Sequence, residues 1–441
     1  MRRQLLSKLL AWKEKTDRKP LLLQGARQVG KTTLLHQFGK ETFRSYHLLN
    51  FEKEPGLCNL FEKSLDPNHL LNEIAFHLKR PIDRHRDLLI FDEVQACPRA
   101  LTSLKYFCEE APEVAVAAAG SLLGIYLGPV SFPVGKVDIL TLYPMSFEEF
   151  LHGIDEHQIL EYLQSYKLDT PFYETAHSRL FEQLLHYFIV GGLPEVVKAF
   201  RDHREDLFVA FEKAREKQQA LIATYLADIA KHSGKVNAMH IARVWQACAT
   251  QLADTHDGSA AKFKFKGVVP GIDRYSRLVD AIDWLQAARL VIKVPIVNCG
   301  RLPFSAYTSE SAFKLYLFDV GLLGAMTDLP PSVILKSDYG SFKGYFAENY
   351  VAQALVSSGY EGLYSWQEKQ AEVDFLFQDR GSAIPVEVKS GHAIRAKSAQ
   401  IFAEKYGSPY RIILSAQNFS LSPHIHKYPL YWTHWSQRQV R

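Results

Sequence analysis

The stretch from Pro20 to Phe38, PLLLQGARQVGKTTLLHQF, constrains this chain more than any other. Leu21 to Leu23 read as a short buried strand, and Leu34, Leu35 and Phe38 mark the apolar stripe of a helix beyond the glycines. Between them Gly25, Gly30, Lys31 and Thr32 fall in the GxxxxGK[ST] spacing, in the strand-then-helix context that this motif requires. The glycines let backbone amides turn inward around phosphate oxygens, and the helix starts with its positive dipole end toward them. Lys31 is expected to reach the β and γ phosphates of ATP, Thr32 to ligate Mg²⁺, and Thr33 to stand in the nucleotide-binding set.

Such a loop needs an acid at the end of a second apolar strand. DLLIFDEVQ supplies one, with Asp92 and Glu93 directly after Leu88 to Phe91. Asp92 is expected to hold the magnesium shell and Glu93 to orient the attacking water; the alternative is that the pair caps a helix. A further strand, VAVAAAG, ends at Ser121, placed either to sense the γ-phosphate or simply to make a turn.

At 441 residues the chain exceeds what one hydrophobic core usually supports. Strand and helix patterns alternate up to about residue 150, the rhythm of a parallel sheet with crossover helices. Residues 151–201 read as a helical lid interrupted by GGLPEVV, and 202–330 as helix-rich. In that section a helix, a second helix (DRYSRLVDAIDWLQAARL) and the β-branched run RLVIKVPIV follow the order of a winged helix. Paired prolines near residue 330 open a last α/β segment, 331–441.

Other features exclude more than they assign. Five scattered cysteines form no CxxC pair, so neither a disulfide framework nor a zinc site is implied, and a reducing, cytoplasmic setting is expected. Lys8 and Lys13 break the N-terminal apolar run, which reads as an amphipathic helix rather than a signal peptide. Residues 114–135 lack charge over a membrane-spanning length, but their glycines and prolines favour a buried strand and a loop, so no membrane is expected. The net charge of +4 permits nucleic-acid contact without demanding it.

The second chemical feature is AEVDFLFQDRGSAIPVEVKSG, residues 371–391. A loop centred on Arg380 and Gly381 pairs Asp374 with Glu387 and Glu372 with Lys389, leaving Val373, Phe375, Phe377, Ile384, Val386 and Val388 on the other face. Opposed carboxylates repel unless a cation lies between them. Glu348 lies on or beside the inward stripe of a preceding helix. Glu348, Asp374 and Glu387 would make an oxygen site for Mg²⁺ or Mn²⁺, with Lys389 stabilising charge on a phosphoryl group. An ordinary solvated hairpin face is the alternative.

With these residues in hand, the chain resembles bacterial and archaeal AAA-type ATPases that begin GARQVGKTT, continue LLIFDEVQ and AAGSLLG, and then show YPMSFEEF, GGLPEV and KLYLFDVGLL. The resemblance spans nearly the whole chain. It departs where the family has a Gly-Arg pair and this chain has Gly135 and Lys136, since lysine lacks the planar fork of an arginine finger. The C-terminal hairpin is similar to the PD-(D/E)XK nuclease arrangement. The expected architecture is therefore α/β: a P-loop ATPase domain (1–150), a helical and winged-helix-like middle, and a restriction-endonuclease-like end. Residues 341–441 hold eleven Lys and Arg against eight Asp and Glu, which suits a polyanion or is ordinary surface charge. Nucleic acid, DNA more than RNA, is the expected partner and a homo-oligomer the expected assembly. A nuclease under ATP control and a switch that binds without cutting are the two functional expectations. Lesser features are the alternating KFKFKG at 262–267, either a phosphate-contacting or a half-buried strand, the pair His424 and His426, and Arg274 and Arg277, balanced by Asp280 and Asp283.

Overall fold

Apolar runs too short for helices, each closed by a polar residue or glycine, build the first sheet. It contains β1 (Leu21–Gln24), β2 (Ser45–Asn50), β3 (Asp87–Asp92), β4 (Ala115–Gly120) and β5 (Asp138–Thr141), in the order β2-β3-β4-β1-β5. Every pairing is parallel. β3 and β4 are buried at each residue, as strands covered on both faces must be. α1 (Leu5–Lys13), α2 (Lys31–Thr42), α3 (Cys58–Lys63), α4 (Pro67–Leu78) and α5 (Pro98–Glu110) belong to this unit. Phe51, Phe61, Phe91 and Phe107 meet edge to face in its core, with ring centroids 5.5 to 6.2 Å apart.

The computed structural model describes residues 1–121, 133–167, 170–233, 235–251, 262–336, 342–360, 362–391 and 396–436. They divide into two compact units, 1–143 with 287–289, and 144–286 with 290–441. The uncharged stretch at 114–135 contributes β4, and its residues 122–132 lie outside the described residues. Among the described residues, no helix is long and apolar enough to cross a membrane.

The second unit begins with α6 (Phe147–Gly153), whose start is fixed by a reciprocal pair of bonds between Ser146 and Glu149. α7 (His157–Ser165), α8 (Glu174–Val190), α9 (Pro194–Asp202), α10 (Leu207–His232) and α11 (Lys235–Gln251) follow. The GGLP motif separates α8 from α9. Gly191 adopts φ +74° and ψ −165°, a backbone region that only glycine visits without strain. A Cβ on Gly191 would stand 2.1 Å from Asp319 Oδ1, and one on Gly192 2.2 Å from the Met145 carbonyl. The motif therefore exists to seat the carboxylate of Asp319, which accepts from Gly192 N at 2.7 Å and caps the next helix at Gly321 N and Leu322 N.

Beyond α11, Phe263 N donates to Phe313 O, and a turn at Tyr275–Arg277 leads into α12 (Val279–Ala287). β6 (Val291–Val297) and β7 (Thr308–Leu317) then form an antiparallel hairpin. The sequence expectation was helix, helix and strand; residues 262–278 intervene between the helices, and the strand is one half of a hairpin. The hairpin nevertheless belongs to a larger sheet with β8 (Tyr364–Glu368), β9 (Ala371–Asp379), β10 (Ser382–Val388), β11 (Arg411–Ser415), β12 (Ser420–Ser422) and β13 (Ile425–Pro429). Its order is β12-β13-β11-β10-β9-β8-β6-β7. Because β6 pairs with β8 in parallel, the boundary expected at 330 falls inside the span of this sheet. α13 (Val320–Met326) and α14 (Pro331–Leu335) lead to α15 (Phe342–Ser357), and α16 (Lys397–Tyr406) connects β10 to the parallel β11.

Candidate functional sites

The parallel register places Gln24 beside Gly120 and Asn50 beside Asp92, so the residues that leave β1, β2, β3 and β4 share one edge of the first sheet. This carboxyl edge is where open α/β sheets bind ligands. The loop after β1 passes so close to Leu142 that a Cβ on Gly25 would lie 2.2 Å from its carbonyl oxygen. Gly30 turns at φ +95° to start α2.

Lys31 is buried, and its ammonium donates to the carbonyls of Gly25 at 3.0 Å and Ala26 at 2.8 Å. Burial lowers its pKa to about 8, with Glu93 and Asp92 pulling the other way. A cation held only by loop carbonyls in such a place is set for an anionic group. Thr32 Oγ1 donates to both oxygens of Asp92, at 3.0 and 3.1 Å, and Asn50 Nδ2 donates to Asp92 Oδ2 at 2.8 Å. The hydroxyl and carboxylate that a nucleotide-bound magnesium needs are thus already in contact. Glu93 leaves β3 in the left-handed region, φ +50°, and accepts from Gln95 Nε2. Ser121 directly follows β4, and its buried Oγ has no hydrogen-bond partner among the described residues, a donor suited to an incoming phosphate oxygen. These residues fit Mg²⁺ and a triphosphate. Thr33 is exposed at the start of α2.

Two contributors to this site were not foreseen. Asn50 orients Asp92 from the neighbouring strand. Arg3, read from sequence only as part of a basic N-terminus, is buried and donates to Val29 O at 2.7 Å and Tyr143 O at 2.5 Å, which fastens the phosphate loop from behind. Lys136, at the departure from the family pattern, forms a partly exposed pair with Glu109 at 2.9 Å.

The second unit gathers the C-terminal residues differently from expectation. The hairpin register is the expected one, with Ser382 opposite Asp379 and Val386 opposite Phe375. Asp374, next along β9, is buried and accepts from Val388 N at 2.7 Å. Glu348 of α15 and Glu387 of β10 are buried as well. The cation among them belongs to the chain. Lys314, on the central part of β7 and fully buried, places Nζ 2.5 Å from Glu372, 3.5 Å from Glu348 and 3.6 Å from Asp374. Burial opposes its charge, yet Glu348, Tyr316, Glu372 and Asp374 outweigh burial and hold its pKa well above the ordinary lysine value. Tyr316 Oη donates to Glu348 at 2.9 Å.

One expected ion pair is corrected here. Glu372 pairs with Lys314, not with Lys389, because β7 brings a second ammonium into the cluster; Lys389 pairs instead with Glu387 at 2.8 Å. Of the expected metal set, Glu348 and Asp374 face the Lys314 ammonium, while Glu387 pairs with Lys389. Among the described residues no three His, Cys, Asp or Glu side chains are arranged to hold a metal ion. Burial and the charge of Asp374 raise Glu387 to about 7, against the opposing pull of Lys389. Burial likewise opposes the charge on Lys389, and Glu387 with Asp374 raises its pKa.

α15 secures this corner through polar residues that the sequence reading passed over. Asn349 bonds both backbone groups of Leu317, and Gln353 bonds Val320 N and Tyr187 Oη. Their signal was polar side chains on an otherwise apolar helix. Likewise Lys314 and Tyr316 alternate with Phe313, Leu315 and Leu317 in a strand that carries apolar residues on its other face. The His424 and His426 pair is no metal site either: His426 stacks on Tyr410 at 4.2 Å, and burial lowers its pKa.

A parallel sheet of this order, with a phosphate loop and a Thr-Asp contact at its carboxyl edge, is that of a P-loop ATPase domain. Residues 17–151 match the family model of an AAA domain, in keeping with the phosphate loop and parallel sheet of the N-terminal unit. Residues 181–333 match a domain of unknown function (DUF8612), and residues 343–432 match another (DUF4143). No curated protein matches the chain. Among solved structures, the chain is similar to the Walker-type ATPase PABY2304 of Pyrococcus abyssi, at 17% identity over 74% of this chain and 95% of that one, with a TM-score of 0.48. It is also similar to the Aeropyrum pernix ORC1 protein in complex with DNA, at 12% identity, 75% and 92% coverage, and a TM-score of 0.30.

Proposed function

We propose that this protein is an ATP-dependent switch whose C-terminal unit engages nucleic acid without cutting it. Thr32 and Asp92 would hold the Mg²⁺ that accompanies ATP, which would supply neutralisation of phosphate charge. Lys31 would turn from the loop carbonyls to the phosphates, Glu93 would position the attacking water, and Ser121 would donate to the γ-phosphate. Asn50 keeps Asp92 aimed, and Arg3 keeps the loop in shape.

The observation that carries the non-cutting half is Lys314. Its ammonium pairs with Glu348 and Asp374, two of the three carboxylates that a nuclease would give to its metal ion. A divalent cation entering there would meet a buried like charge held by three carboxylate partners. The cluster is therefore read as a structural ion-pair network that joins β7, β9 and α15.

Manganese binding followed by electron paramagnetic resonance tests this. The expected result is a site that fills only with nucleotide and is lost in Thr32→Ala. A second site, filled without nucleotide and lost in Asp374→Asn, would overturn the reading and restore the nuclease.

A further inference from the structure

The structure assigns a binding site for single-stranded nucleic acid to an open cleft built from residues 262–265 and 274–276. This rests on the reading above that nucleic acid is the partner, and it names the surface and the form of the ligand.

The cleft encloses a cavity of about 720 Å³, within the range of ligand-binding sites. Its floor is aromatic. Phe263 and Phe313 are buried and nearly parallel, 13° apart with centroids at 6.1 Å. Phe265 and Tyr275 are half-buried and lean on each other and on Phe313, at 5.6 to 6.0 Å. Lys293 Nζ lies 4.7 Å from the Phe313 ring and 5.7 Å from that of Tyr275, which pins the group from one side.

The rim is cationic. Lys262, Lys264 and Arg274 line the cavity and are exposed, and its other polar lining residues are Ser276 and Ser311. Among the described residues no carboxylate lines it. Asp283 and Glu310 act on Tyr275, whose pKa is raised mainly by burial, but neither reaches the cavity wall. The extended segment is held rather than loose. Phe263 N donates to Phe313 O, and the Gln251 amide bonds both backbone groups of Lys264. Lys262 and Lys264 flank buried Phe263 and both line the cavity, so their charges stand on its rim.

Half-exposed rings in a concave site, flanked by cations, suit unpaired bases that stack while their phosphates meet the rim. A duplex keeps its bases stacked on one another and offers the rings nothing. The hydroxyls of Ser276 and Ser311 accommodate sugar and phosphate oxygens without reading sequence, so weak base preference is expected.

Fluorescence anisotropy of the full-length protein with a labelled oligothymidylate, and with a duplex of equal length, tests the assignment. The expected result is preference for the single strand. The double variant Lys264→Ala and Arg274→Ala should weaken binding at least tenfold and lower the slope of log affinity against log salt by about 1.4, at about 0.7 per phosphate contact. Tyr275→Ala should weaken binding about 5- to 150-fold, while Tyr275→Phe, which keeps the ring, binds as wild type. ATP turnover without oligonucleotide should stay at the wild-type rate in every variant, which separates failure of the cleft from failure of the ATPase reading. Unchanged affinity in the charge variant, equal or better duplex binding, or no single-strand binding by folded wild type would each overturn the proposal.

Discussion

Replacing Lys314 by Met removes one buried positive charge and keeps the volume of the side chain. Its ammonium faces Glu348 at 3.5 Å and Asp374 at 3.6 Å, with Glu372 closer still. At an effective dielectric constant near 20, each of the two longer pairs is on the order of 5 kcal/mol of attraction, much of it offset by taking the charges out of water. Removal of one partner does not return that desolvation, because the carboxylates stay buried. The net loss expected is about 3–5 kcal/mol. Hydrogen exchange measured on peptides from β7, β9 and β10 gives a local reading, and there the loss corresponds to exchange roughly two to three and a half orders of magnitude faster at neutral pH. Adding Glu348→Gln and Asp374→Asn to Lys314→Met removes the uncompensated charge and should recover part of the protection. A change of less than about tenfold in Lys314→Met, or no recovery in the triple variant, would refute the idea that the ammonium holds these carboxylates together.

At the phosphate loop, Lys31→Ala should abolish ATP turnover, and Glu93→Gln should lower kcat by roughly 10²- to 10⁴-fold while nucleotide affinity stays within a few-fold, as a coupled phosphate-release assay and a binding titration would show. Asp319 predicts a pH effect. Burial raises it from 3.8 to about 6 against the bonds from Gly192, Leu322 and Gly321, so the folded chain binds more protons than the unfolded chain between these values. Its contribution is thus most favourable below about pH 4 and declines as pH rises through about 6, by about 3 kcal/mol in all. Denaturant titrations across that range should show the decline in wild type, and a steeper rise of stability with pH, or its absence of difference from Asp319→Asn, would contradict the assignment. Gly191→Ala should cost at least about 2 kcal/mol, since its Cβ would meet Asp319 and its backbone angles are closed to alanine. Gly381→Ala, at φ +82° with nothing near its Cβ, should cost about 1 kcal/mol, so equal losses in the two melts would contradict the packing argument.

The nucleotide site was legible because its chemistry is local. Gly25 to Thr32 span one loop and the first residues of α2, and Asp92 closes a strand that is apolar from Leu88 to Phe91, so spacing alone places them. Arg3 and Asn50 were not legible, since each acts on the loop or on Asp92 through the tertiary fold and neither carries a spacing signature. The hairpin register was readable from the turn at Arg380 and Gly381, because a period of two determines every facing pair once the loop is known. The sequence reading expected a divalent cation among Glu348, Asp374 and Glu387 and did not foresee the ammonium of Lys314 beside Glu348, Glu372 and Asp374. Lys314 lies 60 residues before Asp374 in the chain and reaches it only because β7 and β9 share a sheet. Long-range strand pairing of this sort leaves no trace in local pattern beyond a lysine in an otherwise apolar strand. The shared sheet also explains why a boundary drawn at paired prolines divides a hairpin from the strands it joins.

The central claim is that ATP turnover in the first unit coexists with an uncutting carboxylate cluster in the second. One experiment addresses it directly: full-length protein is incubated with single- and double-stranded DNA and RNA, Mg²⁺ or Mn²⁺, and ATP, and phosphate release and strand integrity are followed in the same samples. The account predicts phosphate release that depends on Lys31, with every strand intact. Strand cleavage by wild type that disappears in Asp374→Asn would contradict it and would mean that Lys314 yields its place to a metal ion.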